Sequence, residues 1–201
     1  MSPKKVESRK SKAGRRTGAR PSAAPGPRRA KLSAALRRVK MLLCDVDGVL
    51  TDGTVWMGNG VETKRFHIRD GLGLKILMQQ GIKVGWVSRR PSTATQQRAD
   101  DLKIGLLVQM DGGKVQAVES VLKQTGLNWS EICYVGDDIV DAGVLARAGV
   151  AAAVADGVAE AKAAADYITK ARGGHGAVRE MVELILKAQN KWQRVASEYA
   201  D

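Results

Sequence analysis

Apolar and polar residues alternate in blocks along this chain. "VKMLLCDV", "IKVGWVS", "GLLVQ", "EICYVGDD", "VAAAVA" and "DYIT" are short apolar runs and read as strands. Between them lie stretches with helical spacing. "DGLGLKILMQQ" predicts a helix opened by Asp70, with Leu72, Ile76 and Leu77 inward and Gly81 as its stop. Pro91 starts a helix running to about Leu102, and Gly112-Gly113 leads into "KVQAVESVLKQT", which stops at Gly126. "IVDAGVLARAG" and "DGVAEAKAAA" read as shorter helices. "GAVREMVELILKAQNKWQRVA" reads as one long closing helix, with Val178, Met181, Leu184 and Ile185 on one stripe. The odd element is "GTVWM", "GNG", "VETKRFHI", whose Gly/Asn turn between two extended runs predicts a hairpin after the first strand.

Strands alternating with helices imply an α/β fold, a Rossmann-like doubly wound parallel sheet with helices on both faces. Such sheets bind ligands at the carboxyl ends of their strands. Those ends carry polar groups here: Asp45 and Asp47 on the first strand, Ser88 on another, Asp137 and Asp138 on a third. Carboxylates are poor strand formers and are expensive to bury alone. If the strands are neighbours, the acids share one crevice and need a cation between them. An all-oxygen, carboxylate-rich site suits Mg²⁺.

Charge alters this picture only at the N-terminus. The 201 residues carry a net charge of +12, but residues 1–40 hold 14 of the 33 Lys/Arg and a single acid, Glu7. The rest of the chain is close to neutral. The basic tail has no aromatic residue and no apolar periodicity, so residues 1–35 are expected to be disordered, with one folded domain over 36–201. Contacts of the tail with nucleic acid would be non-specific and electrostatic. No 18-residue apolar run is present, so no membrane span is expected. Cys44 and Cys133 sit in apolar segments and read as buried thiols of a reduced compartment, the cytoplasm.

"DVDGVLTD" resembles the first motif, DxDGxxTD, of the haloacid dehalogenase superfamily of phosphatases. Ser88, Lys114 and "GDDIVD" match its second, third and fourth motifs in order. Across about residues 38–190, "MGNG", "FHIRDGLG", "YVGDD", "AVADG", "ADYIT" and "GGHGAVRE" resemble the 3-deoxy-D-manno-octulosonate 8-phosphate (Kdo 8-phosphate) phosphatases. The resemblance implies the haloacid dehalogenase fold. Only 41 positions separate Asp47 from Ser88 and 23 separate Lys114 from Asp137, each interval already filled, so no cap domain is encoded.

The resemblance assigns roles. Asp45 is the nucleophile that takes the phosphoryl group, and Asp47 is the acid that protonates the leaving oxygen and then the base that activates water. Mg²⁺ is held by Asp45, the main chain of Asp47, and Asp137. Ser88 and Lys114 bind the phosphoryl group. Asp138 is a possible support for Lys114 or for a metal-bound water, with Asp141 a weaker candidate. The substrate region comprises Asp47, His67, Ile68, Arg69, Asp70, Gly71, Lys75, Arg90, Arg98 and Lys114. Arg89 stands where the family has Gly. The implied reaction is Mg²⁺-dependent hydrolysis of Kdo 8-phosphate. The alternatives are a phosphatase of a nine-carbon ulosonate 9-phosphate, or a non-catalytic oligomerisation domain. The partners expected are a small sugar-acid phosphate and further copies of the chain in a homotetramer. The hairpin (Val55, Trp56, Met57, Phe66) and the Gly173–Gly176 run with Arg179 would complete neighbouring sites.

Overall fold

The structure, a computed structural model, describes residues 27–200. The predicted disorder of residues 1–26 lies outside the described residues. The rest of that prediction is corrected, because Pro27–Arg38 forms α1 and the domain boundary drawn at 35/36 falls inside a helix. Leu36 is buried, and Leu32 and Ala35 pack against the same core, which is enough apolar surface to order this segment.

From α1 the chain enters β1 (Met41–Cys44), then a hairpin of β2 (Trp56–Gly58) and β3 (Val61–Thr63). The order then runs α2 (Ile68–Gln79), β4 (Lys83–Ser88), α3 (Thr93–Leu102), β5 (Leu106–Gln109), α4 (Lys114–Thr125) and β6 (Ile132–Gly136). It closes with α5 (Ala142–Leu145), β7 (Val150–Ala153), α6 (Ala159–Ala163), β8 (Tyr167–Ile168), α7 (Ala177–Ala188) and α8 (Trp192–Glu198). Six strands make one sheet in the order β5-β4-β1-β6-β7-β8, all pairs parallel. The hairpin stands apart as an antiparallel pair, turning through Asn59 and Gly60 with φ of 51° and 73°. Both positive angles suit the tight turn that a twisted hairpin needs.

The sheet is buried on both faces, so its strands are apolar throughout. Within β1, Leu42 and Cys44 face a core built with α1, α2, α7 and α8, while Met41 and Leu43 face a second core with α4 and α5. β1 lies between β4 and β6, in register Cys44 to Trp86 and Cys44 to Val135. The tips of these three strands therefore open onto one crevice.

Three helix readings are corrected. Leu72 is 40% exposed, and the inner face of α2 is Leu74, Ile76 and Leu77. The closing helix is two, because Asn190 adopts a left-handed φ of 58° between α7 and α8. "IVDAGVL" winds first as a 3₁₀ turn, Ile139–Asp141, before α5.

Asp70 does not open α2. It lies in the first turn, 1% exposed, and accepts the Gly176 N–H (3.2 Å) and the Arg179 N–H (2.7 Å) at the start of α7. It holds the start of α7 to α2. Burial raises its pKa, against the two N–H bonds and the nearby His67 and Arg179. Replacing Asp70 with Ala removes both bonds and should lower stability by about 1–2 kcal/mol in urea titrations. Asp70→Asn keeps an acceptor and should lose less.

Candidate active site

The first motif folds around Thr51. This buried side chain accepts the N–H of Gly48 (3.4 Å) and Gly53 (3.2 Å), and the Val46 carbonyl accepts from Leu50 and Thr51. The loop thus curls straight back at the end of β1 and leaves Asp45 and Asp47 at the strand tip. Gly48 (φ 88°) must be glycine, since a Cβ there would lie 2.0 Å from Asp137 Oδ2. Gly173 presses on the Gly48 carbonyl in the same way, and the Gly174 N–H donates to Val49. The glycine run before α7 therefore braces this chain's own motif loop.

Two charge clusters follow. In the first, the buried Lys114 at the start of α4 lies 2.6 Å from Asp45 Oδ2 and 2.6 Å from Asp141 Oδ1. Asp141 also accepts from the Tyr134 hydroxyl (2.5 Å) and from the N–H of Asp137 (3.0 Å) and Asp138 (3.2 Å). Its four acceptor positions are filled, so it acts as a bracket for Lys114 and for the turn after β6. The contact with Lys114 is thus made by Asp141 and not by Asp138, which is exposed and caps the 3₁₀ turn through the Ile139 N–H.

Asp45 and Asp137 are the acids left with capacity to bind. Carboxylate oxygens of Asp45, Asp137 and Asp141 lie within 4.8 Å of one another, and Asp137 Oδ1 is buried with no hydrogen-bond partner. Burial, then the charge of Asp141, push Asp45 up to about 6, against Lys114. Burial, then the charges of Asp45 and Asp141, push Asp137 up to about 8. Burial opposes the charge on Lys114, but the two flanking acids outweigh it and hold its pKa high. An orphaned buried oxygen beside a second carboxylate fits Mg²⁺, with Asp45 and Asp137 as ligands.

The second cluster surrounds Asp47. Lys64 at the end of the hairpin lies 2.7 Å from Asp47 Oδ1 and 2.9 Å from Oδ2. Arg90 reaches Asp47 at 3.7 Å and Glu62 at 2.7 Å, and the Ser92 hydroxyl donates to Glu62 (2.6 Å). Ser88, buried at the tip of β4, is hydrogen-bonded to the main chain of Arg90. The expected Asp45, Asp47, Ser88, Arg90, Lys114 and Asp137 thus lie at or just beyond the adjoining tips of β1, β4, β5 and β6.

The other expected substrate residues lie elsewhere. His67, Ile68 and Arg69 line a cavity of about 390 Å³ with Arg65 and His175 on the flank of the hairpin, Ile68 being 74% exposed. Lys75 points outward from α2. Arg98 pairs with Asp101, and its guanidinium covers the buried Gly71. Arg89 faces Asp111 at the surface. Sequence reasoning missed Lys64, Glu62 and Tyr134. The one signal for the first two is their spacing of two in an extended run, which puts both on one side of β3 and its continuation.

A family model described as haloacid dehalogenase-like hydrolase matches residues 107–181. The Kdo 8-phosphate phosphatase of Yersinia pestis is 40% identical over 154 residues, covering 76% of this chain and 82% of that protein. Its counterpart from Haemophilus influenzae is 42% identical over 157 residues, covering 78% and 87%. Among solved structures, the Moraxella catarrhalis Kdo 8-phosphate phosphatase, in complex with magnesium ion, phosphate ion and Kdo, aligns with a TM-score of 0.82. Its identity is 37%, over 84% of this chain and 98% of that one.

The raised carboxylates set the sign of a metal titration. A proton held on Asp137 up to about pH 8, and on Asp45 up to about 6, competes with the metal. Mg²⁺ affinity measured by calorimetry should therefore weaken by about tenfold or more from pH 8 to pH 6. Asp137→Asn should remove most of that dependence along with most of the binding.

Proposed function

The chain belongs to the Kdo 8-phosphate phosphatase family of haloacid dehalogenase-like hydrolases, and on that footing we propose that it hydrolyses Kdo 8-phosphate to Kdo and inorganic phosphate, with Mg²⁺ as cofactor. The observation that carries the proposal is the pairing of Asp45 with Lys114 beside the unpartnered oxygen of Asp137. It leaves one buried carboxylate charge-compensated yet open toward the crevice.

Asp45 attacks phosphorus, and the bond from phosphorus to the sugar oxygen breaks. Asp47 gives its proton to the departing oxygen, and an aspartyl phosphate remains on Asp45. Asp47, now a carboxylate, takes a proton from water as that water attacks phosphorus, and phosphate leaves. Lys114 offsets charge on Asp45 and on the phosphoryl oxygens throughout, and Asp141 keeps the ammonium there. The Ser88 hydroxyl turns from its main-chain partner to a phosphoryl oxygen. Arg90, beside Asp47 at the open edge, suits the carboxylate of the sugar acid. Asp45, Asp137 and the Asp47 carbonyl would hold the magnesium ion, which supplies charge shielding between nucleophile and phosphate.

Support for the eight-carbon substrate comes from the relatives, and from Arg69, Asp70 and Arg90. The nine-carbon alternative is not favoured by relatives that carry the eight-carbon name. A non-catalytic role is disfavoured by complete charge clusters.

A homotetramer is supported by the hairpin. Trp56, Met57 and Val61 are 67%, 71% and 62% exposed, a large apolar area for a lone chain. Phe66 does not add to that surface, because it stacks on Trp86 with centroids 6.2 Å apart. A cytoplasmic location suits the two buried free thiols, Cys44 and Cys133. No helix among the described residues is long and apolar enough to cross a membrane.

Asp45→Asn should lower phosphate release from Kdo 8-phosphate by at least about a thousandfold while the circular-dichroism spectrum stays unchanged. Activity within tenfold of wild type would remove Asp45 from the nucleophile role. Light scattering of the wild type should report about four chains, and Trp56→Asp should lower that number. Deleting residues 1–26 should leave turnover intact.

A further inference from the structure

Lys64 has a side chain with 0% exposure, in a hairpin whose other residues are mostly open to solvent. Its ammonium meets Asp47 at 2.7 and 2.9 Å, the Thr95 hydroxyl on α3 at 3.1 Å, and Glu62 at 3.5 Å. The ammonium donates hydrogen bonds to Asp47 and Thr95, and Glu62 adds a second carboxylate at ion-pair distance. The motif loop, the hairpin and α3 meet on this one atom. Glu62 is in turn held by Ser92 and Arg90. Without Lys64, Asp47 and Glu62 would have only the part-exposed Arg90 between them, 2.7 Å from Glu62 but 3.7 Å from Asp47, and Asp47 would lose its close partner and shift.

We propose that Lys64 is a positioning residue for Asp47: it fixes where the carboxyl points, so that the hairpin is a working part of the proton-transfer site as well as a wall around it. The proposal rests on the acid–base role of Asp47 given above. A cap domain commonly shapes such a site from above. Here the end of the hairpin, just past β3, carries that duty from the side, with Thr95 anchoring the lysine to α3. Arg90, the other cation near Asp47 among the described residues, is farther, at 3.7 Å, and its side chain is 44% exposed.

Leaving-group dependence separates this role from a purely structural one. The kcat/KM of a phosphoenzyme reaction reports the step in which the first leaving group departs. A sugar alkoxide needs a proton then, and p-nitrophenolate does not. Lys64→Met should lower kcat/KM for Kdo 8-phosphate by about a hundredfold and for p-nitrophenyl phosphate by less than about tenfold. Asp47→Asn should show the same bias, and adding Lys64→Met to Asp47→Asn should cost little more. Equal losses on both substrates, additive losses in the double variant, or wild-type kinetics in Lys64→Met would each overturn the proposal.

If Lys64→Met does not fold, Thr95→Val carries the test, because it removes only the anchoring hydroxyl. A smaller loss with the same bias supports the proposal, and a loss without bias overturns it. If wild type hydrolyses p-nitrophenyl phosphate but not Kdo 8-phosphate, the substrate assignment alone fails. The alkyl arm is then run on whichever sugar phosphate the wild type accepts.

Discussion

Lys114 lies between Asp45 and Asp141, 2.6 Å from each, at the point where β1 and β6 end side by side. Burying two carboxylates and a third, Asp137, at adjoining strand tips costs several kcal/mol per uncompensated ion. The ammonium offsets part of that cost, and the rest of the neighbourhood is arranged around it. Tyr134 spends its hydroxyl on Asp141, the turn after β6 donates two N–H groups to the same carboxylate, and α4 begins at Lys114 itself. One cation is too few for three acids. Burial, and then that imbalance, raise the pKa of Asp45 and Asp137, and the surplus of carboxylates makes the crevice a site for a divalent ion.

The same accounting applies one residue pair further along the motif. Asp47 is compensated by Lys64, which arrives on the hairpin and not on the sheet. The two acids are therefore held from opposite sides, Asp45 by the Rossmann-like core and Asp47 by the hairpin. The first is rigid by burial. The second depends on a two-stranded ribbon whose outer face is apolar and exposed. A ribbon of that kind is marginal alone. Its contacts through Lys64, Glu62 and Arg90 to α3 and the β4 loop, and copies of itself in an oligomer, are what would steady it.

Much of this was legible in the chain, for a physical reason. Carboxylates ending apolar runs are rare, so Asp45, Asp47 and Asp137 mark the strand tips without further help, and the alternation of blocks gives the sheet. What failed to show depends on direction or distance. Asp138 and Asp141 stand in one short acidic string, and only the 3₁₀ turn decides that Asp141 faces Lys114. Asp70 caps a helix more than 100 residues later, a pairing that no local pattern carries. Glu62 and Lys64 look like solvated charges of a hairpin until the hairpin is folded over Asp47. The apolar stripe of α7 runs on past Asn190, so periodicity alone cannot reveal that the backbone turns there.

The central claim is that Asp45 carries the phosphoryl group between two half-reactions. Rapid acid quench of the enzyme with Kdo 8-phosphate labelled in its phosphate, followed by peptide mapping, tests it most directly. The account predicts transient label on the peptide containing Asp45, released by hydroxylamine and absent in Asp45→Asn. Turnover with no labelled protein at any time, or label on a different residue, would contradict it.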